Sequence, residues 1–150
     1  MKKILLQKFF EEITFFGGIA FYFFIILLFF IFNEYILSFK LFLGLMIIYL
    51  ITFFIRLFYF KERPKKIEHN NFLERIDASS FPSVHAARIT FLFLFFLFYS
   101  FFSLSLIAKI LMGGIFLFTL YSRIYLSKHD AVDIIAGVIL GGLAMIIFFI

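Results

Sequence analysis

The sequence predicts an all-α, polytopic transmembrane helical bundle of about five spans, with a short polar loop between the second and third. Three observations predict it. Hydrophobic residues make up 65% of the chain, and 29 of its 150 residues are Phe. A soluble core has no room for so many apolar side chains, whereas a bilayer accepts them on its lipid face. The apolar residues also fall into runs near the roughly 20 residues that a helix needs to cross a bilayer core. Finally, the charged residues collect between those runs. Strands of a β-barrel would alternate polar and apolar instead.

Taken in order, residues 1–12 read as a short amphipathic helix or a lead-in. The first span covers 13–32 and the second 36–60, with Lys40 near enough to the start of the second to snorkel. The third covers 86–107, the fourth 110–126 and the fifth 131–150. The long polar segment is 61–81, which holds Pro64 and His69; Pro82 follows it, and 71–78 suits a short interfacial helix. Tyr22, Tyr35, Tyr59 and Tyr125 lie near the ends of apolar runs, where an aromatic belt sits. With five spans, the connections 61–81 and 125–130 share one side of the membrane. Residues 1–150 read as one membrane-embedded domain.

Composition narrows the chemistry. The chain has no Cys, which removes disulfides, thiolate catalysis and Cys-ligated metals. The net charge of +5 suits lipid headgroups or a phosphorylated substrate. No nucleic-acid-binding motif is present. Lys2 and Lys3 precede an apolar stretch, but Lys8, Glu11 and Glu12 interrupt it and no small-residue cleavage site follows, so a cleavable signal peptide is not expected.

Three polar clusters stand out. Arg56 and Arg63 are two helical turns apart, and Pro64 follows. They read either as a juxtamembrane basic flank or as a guanidinium clamp, whose forked donors match phosphate oxygens. Ser79-Ser80-Phe81-Pro82-Ser83-Val84-His85 opens the third span. Ser79 or Ser80 suits a helix cap and Pro82 the first turn, so the N–H groups of Ser83 and Val84 point out of a helix end fit to bind phosphate. The same residues also make a plain cap with an interfacial His. The last cluster is Ser122-Arg123, then His129 and Asp133. His129 and Asp133, at i and i+4, share a helix face, so the carboxylate can bond one ring nitrogen and leave the other free to attack. Arg123, near the end of an apolar span, either snorkels or meets an anionic partner. Gly137 and Gly141 continue the row from His129 through Asp133 as a small-xxx-small face for close helix packing. Gly113 and Gly114 fit close packing and lipid exposure equally.

Together the clusters resemble the signature of the type 2 phosphatidic acid phosphatase and vanadium haloperoxidase superfamily: Lys-x6-Arg-Pro, Pro-Ser-Gly-His, then Ser-Arg-x5-His-x3-Asp. Here they read Arg56-x6-Arg63-Pro64, Pro82-Ser83-Val84-His85 and Ser122-Arg123-x5-His129-x3-Asp133. Arg56 replaces the lysine, and Val84 replaces a glycine that lets the backbone approach phosphate. The resemblance implies a lipid phosphatase that needs no metal and no cofactor. His129 would form a phosphohistidine, Asp133 would orient it, and His85 would protonate the leaving oxygen. Arg56, Arg63, Arg123, Ser83 and the Val84 N–H would hold the phosphate.

The substrate so implied is a phosphorylated membrane lipid: a polyprenyl pyrophosphate, phosphatidylglycerol phosphate, phosphatidate or a lipid A phosphate. A non-catalytic lipid-phosphate binder or transport component on the same scaffold is the second reading, and Val84 is its support. Haloperoxidases of the superfamily are typically soluble, unlike this chain. Location is expected in the cytoplasmic membrane. Of the 14 Lys and Arg residues, only Lys40 and Lys109 lie opposite the active-site connections, so charge bias points the site to the cytoplasm. Most membrane relatives work on the extracytoplasmic or lumenal face, and the expectation adopted is the extracytoplasmic one.

Overall fold

Gly18 breaks what reads in the sequence as one apolar run. In the computed structural model, which describes residues 2–99 and 104–147, the expected lead-in 1–12 and first span 13–32 together form a bent pair of helices. Helix α1 (Lys2–Ile13) leads into a 3-10 turn (Thr14–Gly17), and α2 (Ile19–Ile31) restarts from an extended Gly18 after a bend of 45°. Gly17 lies against the His85 carbonyl and Thr119, and a Cβ there would crowd both. The small residue therefore lets this turn approach the start of a central helix.

Five more helices follow: α3 (Tyr35–Phe58), α4 (Phe72–Ala78), α5 (Val84–Phe98), α6 (Leu106–Tyr125) and α7 (Ala131–Ile146). No strand occurs among the described residues. The short helix α4 falls where 71–78 was expected to be helical, with the Asn71 side chain accepting from the Glu74 N–H as its cap. Tyr22, expected in an aromatic belt, is instead fully buried, and its hydroxyl donates to the Leu41 carbonyl at 3.1 Å. A phenol this deep needs an acceptor, and α3 supplies one. Ser38 does the reverse, donating to the Ile26 carbonyl at 3.0 Å, so α2 and α3 are pinned as a hairpin.

Helices α3 and α6 are long and apolar enough to cross a membrane, and the bent pair makes a third if taken as one span. Helices α5 and α7 are apolar but have 15 and 16 residues. Helix length therefore supports fewer spans than the five expected. The spans read as 86–107 and 131–150 run into 100–103 and 148–150, outside the described residues. The outward faces are apolar: Phe24, Leu27, Ile31, Phe54 and Ile139 are all exposed. Such faces suit lipid.

Helices α5 and α7 form the most closely packed pair. A Cβ on Gly137 would run into the Ser83 carbonyl and Ala86, and one on Gly141 into the Ala87 carbonyl and Thr90. The two glycines thus let α7 lie backbone to backbone on α5, as small residues do between membrane helices. Gly113 and Gly114 have nothing within 4 Å of such a Cβ, so close packing is not their role among the described residues. Phe91, fully buried, fills the notch that Gly44 leaves on α3.

Candidate active site

The polar segment folds back on the two helix starts that carry the clusters. Its backbone is held by the Ser80 N–H donating to the Lys61 carbonyl at 2.8 Å and the Lys65 N–H donating to the Ser127 carbonyl at 2.9 Å. The second bond joins it to the α6–α7 loop. In that loop Ser127 takes a positive φ of 54°, and the N–H groups of Lys128 and His129 both donate to the Arg123 carbonyl, at 3.0 and 3.2 Å. This tight reversal sets His129 just ahead of α7.

Helix α7 starts with a capping box. Asp130 accepts from the Asp133 N–H at 3.0 Å, and Asp133 Oδ2 accepts from the Asp130 N–H at 3.2 Å. His129 Nδ1 stands 3.6 Å from the same Oδ2. That is ion-pair reach rather than a hydrogen bond, and Nδ1 has no closer partner. Nδ1 is thus the nitrogen turned toward Asp133, and a ligand in the cavity would meet Nε2. His129 is 4% exposed and Asp133 fully buried. Burial, and then the guanidiniums of Arg123 and Arg63, push the His129 imidazole down to about 3. It is a neutral base at physiological pH.

Lys61 completes this corner. Its Nζ donates to Asp130 Oδ2 at 2.6 Å and to Asp133 Oδ1 at 2.8 Å. Burial works against the Lys61 charge, but the hydrogen bonds it donates to the two carboxylates outweigh it and hold the ammonium above the usual lysine range.

The start of α5 differs from the sequence expectation. Ser83, not Ser79 or Ser80, is the cap, with its Oγ accepting from the Ala86 N–H at 3.4 Å, and Pro82 precedes the cap rather than entering the first turn. Ser79 and Ser80 are buried and tie down the polar segment, Ser79 Oγ accepting from the Lys61 N–H and Ser80 Oγ donating to the Glu62 carbonyl, each at 3.3 Å. The Ser83 N–H donates to the Asp133 carbonyl at 3.0 Å, so it is not free for phosphate. Val84, the first helical residue, has no intrahelical acceptor for its N–H and lines the cavity described next.

A cavity of about 480 Å³ opens between α3, α5 and the α6–α7 loop. His129, His85, Arg56, Arg63, Arg123 and Val84 all line it. Ser83 and Asp133 stand behind them, in contact through their backbones. Arg56 is largely occupied: its guanidinium donates to the carbonyls of Phe81, Ile76 and Pro82 at 3.3, 3.3 and 3.1 Å. It braces the loop that leads into α5. Arg63 gives one bond to the Asp77 carbonyl at 2.8 Å, and Arg123 one to Thr14 Oγ1 at 2.9 Å; the Nε of each is buried without a partner. These two guanidiniums keep the most donors free. Burial, then Arg123 and Arg63, also lower the nearby Lys128 ammonium, as expected of a cavity with excess positive charge.

Several of these residues escape the sequence reading. Arg88, buried on α5 beside His85, is an ionisable residue inside an apolar run, and that position alone is a signal. Asp130 stands three residues before Asp133, a capping-box spacing that is also legible. Lys61 and Thr14 have no local signal, since both act across the fold.

The class of protein is thus an apolar helical bundle, with helices long enough to cross a membrane, and an arginine-lined pocket beside a His–Asp pair. Residues 37–150 match the PAP2 superfamily, and the chain belongs to it. The fold is similar to that in the crystal structure of Aquifex aeolicus LpxE, with a TM-score of 0.76 and 23% identity over 97% of this chain and 86% of that one. No curated protein matches the chain.

Proposed function

We propose that this chain is a lipid phosphatase that passes a phosphoryl group from a lipid to His129 Nε2 and then to water. The observation that carries it is His129, with Asp133 behind it, facing a cavity in which Arg63 and Arg123 hold unpartnered donors. A phosphate binder needs the arginines but not an oriented neutral imidazole.

In this reading the bond to the leaving oxygen breaks with its electron pair on that oxygen, which faces His85. Asp133 offsets the charge that develops on the His129 ring. Arg63, Arg123 and the Val84 N–H hold the equatorial oxygens, Ser83 behind them caps the helix that presents that N–H, and Arg56 supplies charge as well as its brace. Fixed donors of this kind carry most of the rate gain in such reactions. No metal or cofactor is required. Ile19, Phe53, Leu73 and Ile76 line the same cavity, an apolar exit that suits a lipid tail. The five-span reading keeps α5 and α7 as short central crossings, with the site in the cytoplasmic membrane facing outward.

The test is phosphate release from a panel of phosphorylated lipids by detergent-purified protein in EDTA. Release by the wild type and a loss of at least about 10³-fold in His129→Ala are expected. Normal turnover by a folded His129→Ala protein, or none by the wild type on any lipid, would refute the reading.

A further inference from the structure

We propose that Arg88, Tyr49 and Thr52 form a second phosphate subsite beneath His85, and that the substrate class is a lipid diphosphate. The inference rests on the phosphatase reading and narrows it.

Arg88 is 3% exposed, and no carboxylate lies within ion-pair reach of it among the described residues. Its Nη1 donates to the Tyr49 hydroxyl at 2.7 Å, its Nη2 approaches His85 Nδ1 at 3.2 Å, and its Nε is buried without a partner. Thr52, also 3% exposed, has a hydroxyl with no partner. All three residues line the same cavity as His129. A buried guanidinium without an acid, beside an orphaned hydroxyl, is a site short of an anion. The cavity's charge points the same way: Arg56, Arg63, Arg88, Arg123 and Lys128 face it, against the single carboxylate of Asp77.

The arrangement also selects the leaving group. Arginine only donates, so His85 Nδ1 must accept, and the ring proton sits on Nε2. A second proton would have to enter at Nδ1, against a guanidinium 3.2 Å away. His85 is thereby held as a neutral N–H donor rather than an imidazolium. Such a group suits a leaving oxygen that needs little protonation. A departing phosphomonoester has a second pKa of about 6. A departing alkoxide is closer to the value of about 15.7 for water.

The step is balanced without any further reactant. His129 Nε2 bonds to the terminal phosphorus, and the bond from that phosphorus to the bridging oxygen breaks. The electron pair stays on that oxygen, now part of a lipid monophosphate that meets the Nε2–H of His85 and draws on the remaining donors of Arg88 and on Thr52. Water then attacks phosphorus, the N–P pair returns to Nε2, and inorganic phosphate leaves with the water's oxygen and protons.

The experiment compares kcat/KM for farnesyl diphosphate and farnesyl monophosphate in the detergent-purified chain. The wild type is expected to favour the diphosphate by about 100-fold, and Arg88→Gln to cut that ratio to about tenfold or less. Thr52→Val, nearly isosteric, lowers the ratio by about threefold or more and serves if Arg88→Gln fails to fold. A wild-type ratio near one, or variants that lower both rates equally, overturns the subsite and leaves the phosphatase standing. Turnover of neither compound, nor of any other phosphorylated lipid, overturns the phosphatase reading and the subsite with it.

Discussion

Lys61 Nζ donates to Asp133 Oδ1 at 2.8 Å, which leaves Oδ2 as the oxygen that faces His129 Nδ1. The carboxylate cannot rotate without losing Lys61 on one side and the Asp130 N–H on the other. Lys61 therefore acts on the imidazole through Asp133, as a positioning residue. Lys61→Met is expected to lower kcat by about 10- to 100-fold, the scale of a small misplacement, while KM moves little. Lys61→Arg should recover part of the loss. A KM effect alone would place Lys61 on the substrate instead.

The depressed His129 gives stability a pH signature. Folded His129 stays neutral down to about 3, whereas in the unfolded chain it takes a proton near its ordinary value of about 6.5. Between those values the unfolded state binds the extra proton, so this contribution to stability is complete above about pH 6.5 and is lost as pH falls toward 3. The Tm of the wild type should fall more steeply from pH 7 to pH 4 than that of His129→Gln. Parallel curves would contradict the assignment.

Val84 stands where the superfamily signature has glycine, at the first position of α5 with its N–H directed out of the helix. Val84→Gly removes bulk beside the bound phosphate and costs about 1 kcal/mol or less of helix stability. Turnover is expected to be preserved or raised. A large loss in a folded Val84→Gly protein would show that the branched side chain shapes this pocket.

Gly137 and Gly113 make a matched pair of tests. Gly137→Ala drives a Cβ into the Ser83 carbonyl, whose own N–H holds the Asp133 carbonyl, so both Tm and turnover should drop. Gly113→Ala meets open space and should be neutral or raise Tm, given the roughly 1 kcal/mol helix preference for Ala. Equal effects at the two positions would count against the α5–α7 packing.

Membrane sidedness can be read by thiol labelling, since the chain has no Cys of its own. Asn70→Cys reports the active-site segment, and Phe32→Cys the opposite end of α3. Phe32 is the better choice there because Asn33 holds a φ of 64°, where Cys is strained. The 24 residues of α3 separate the two ends by roughly 36 Å. An impermeant reagent on intact cells is expected to label position 70 and spare position 32. The reverse pattern would place the site in the cytoplasm.

What the sequence determines by itself is whatever has a local period or spacing. The apolar runs announce helices, and the spacing of His129 and Asp133 marks them as partners, but His129 lies ahead of the Asp130 cap, so it meets Asp133 across the start of α7 rather than on a shared helix face as the spacing predicts. The glycine row on α7 is equally local, and it does pack on α5. The break at Gly18 escapes that reading because hydropathy does not change there, and the bend answers to Gly17 meeting His85. The cap at Ser83 rather than Ser79 is decided by the tie from the Ser83 N–H to α7, and Ser79 and Ser80 are drawn off to hold residues 61 and 62. Lys61 and Thr14 reach the site from 72 and 109 residues away along the chain. Only tertiary packing brings such partners together, because a charge or hydroxyl in a loop carries no mark of the distant group it will meet.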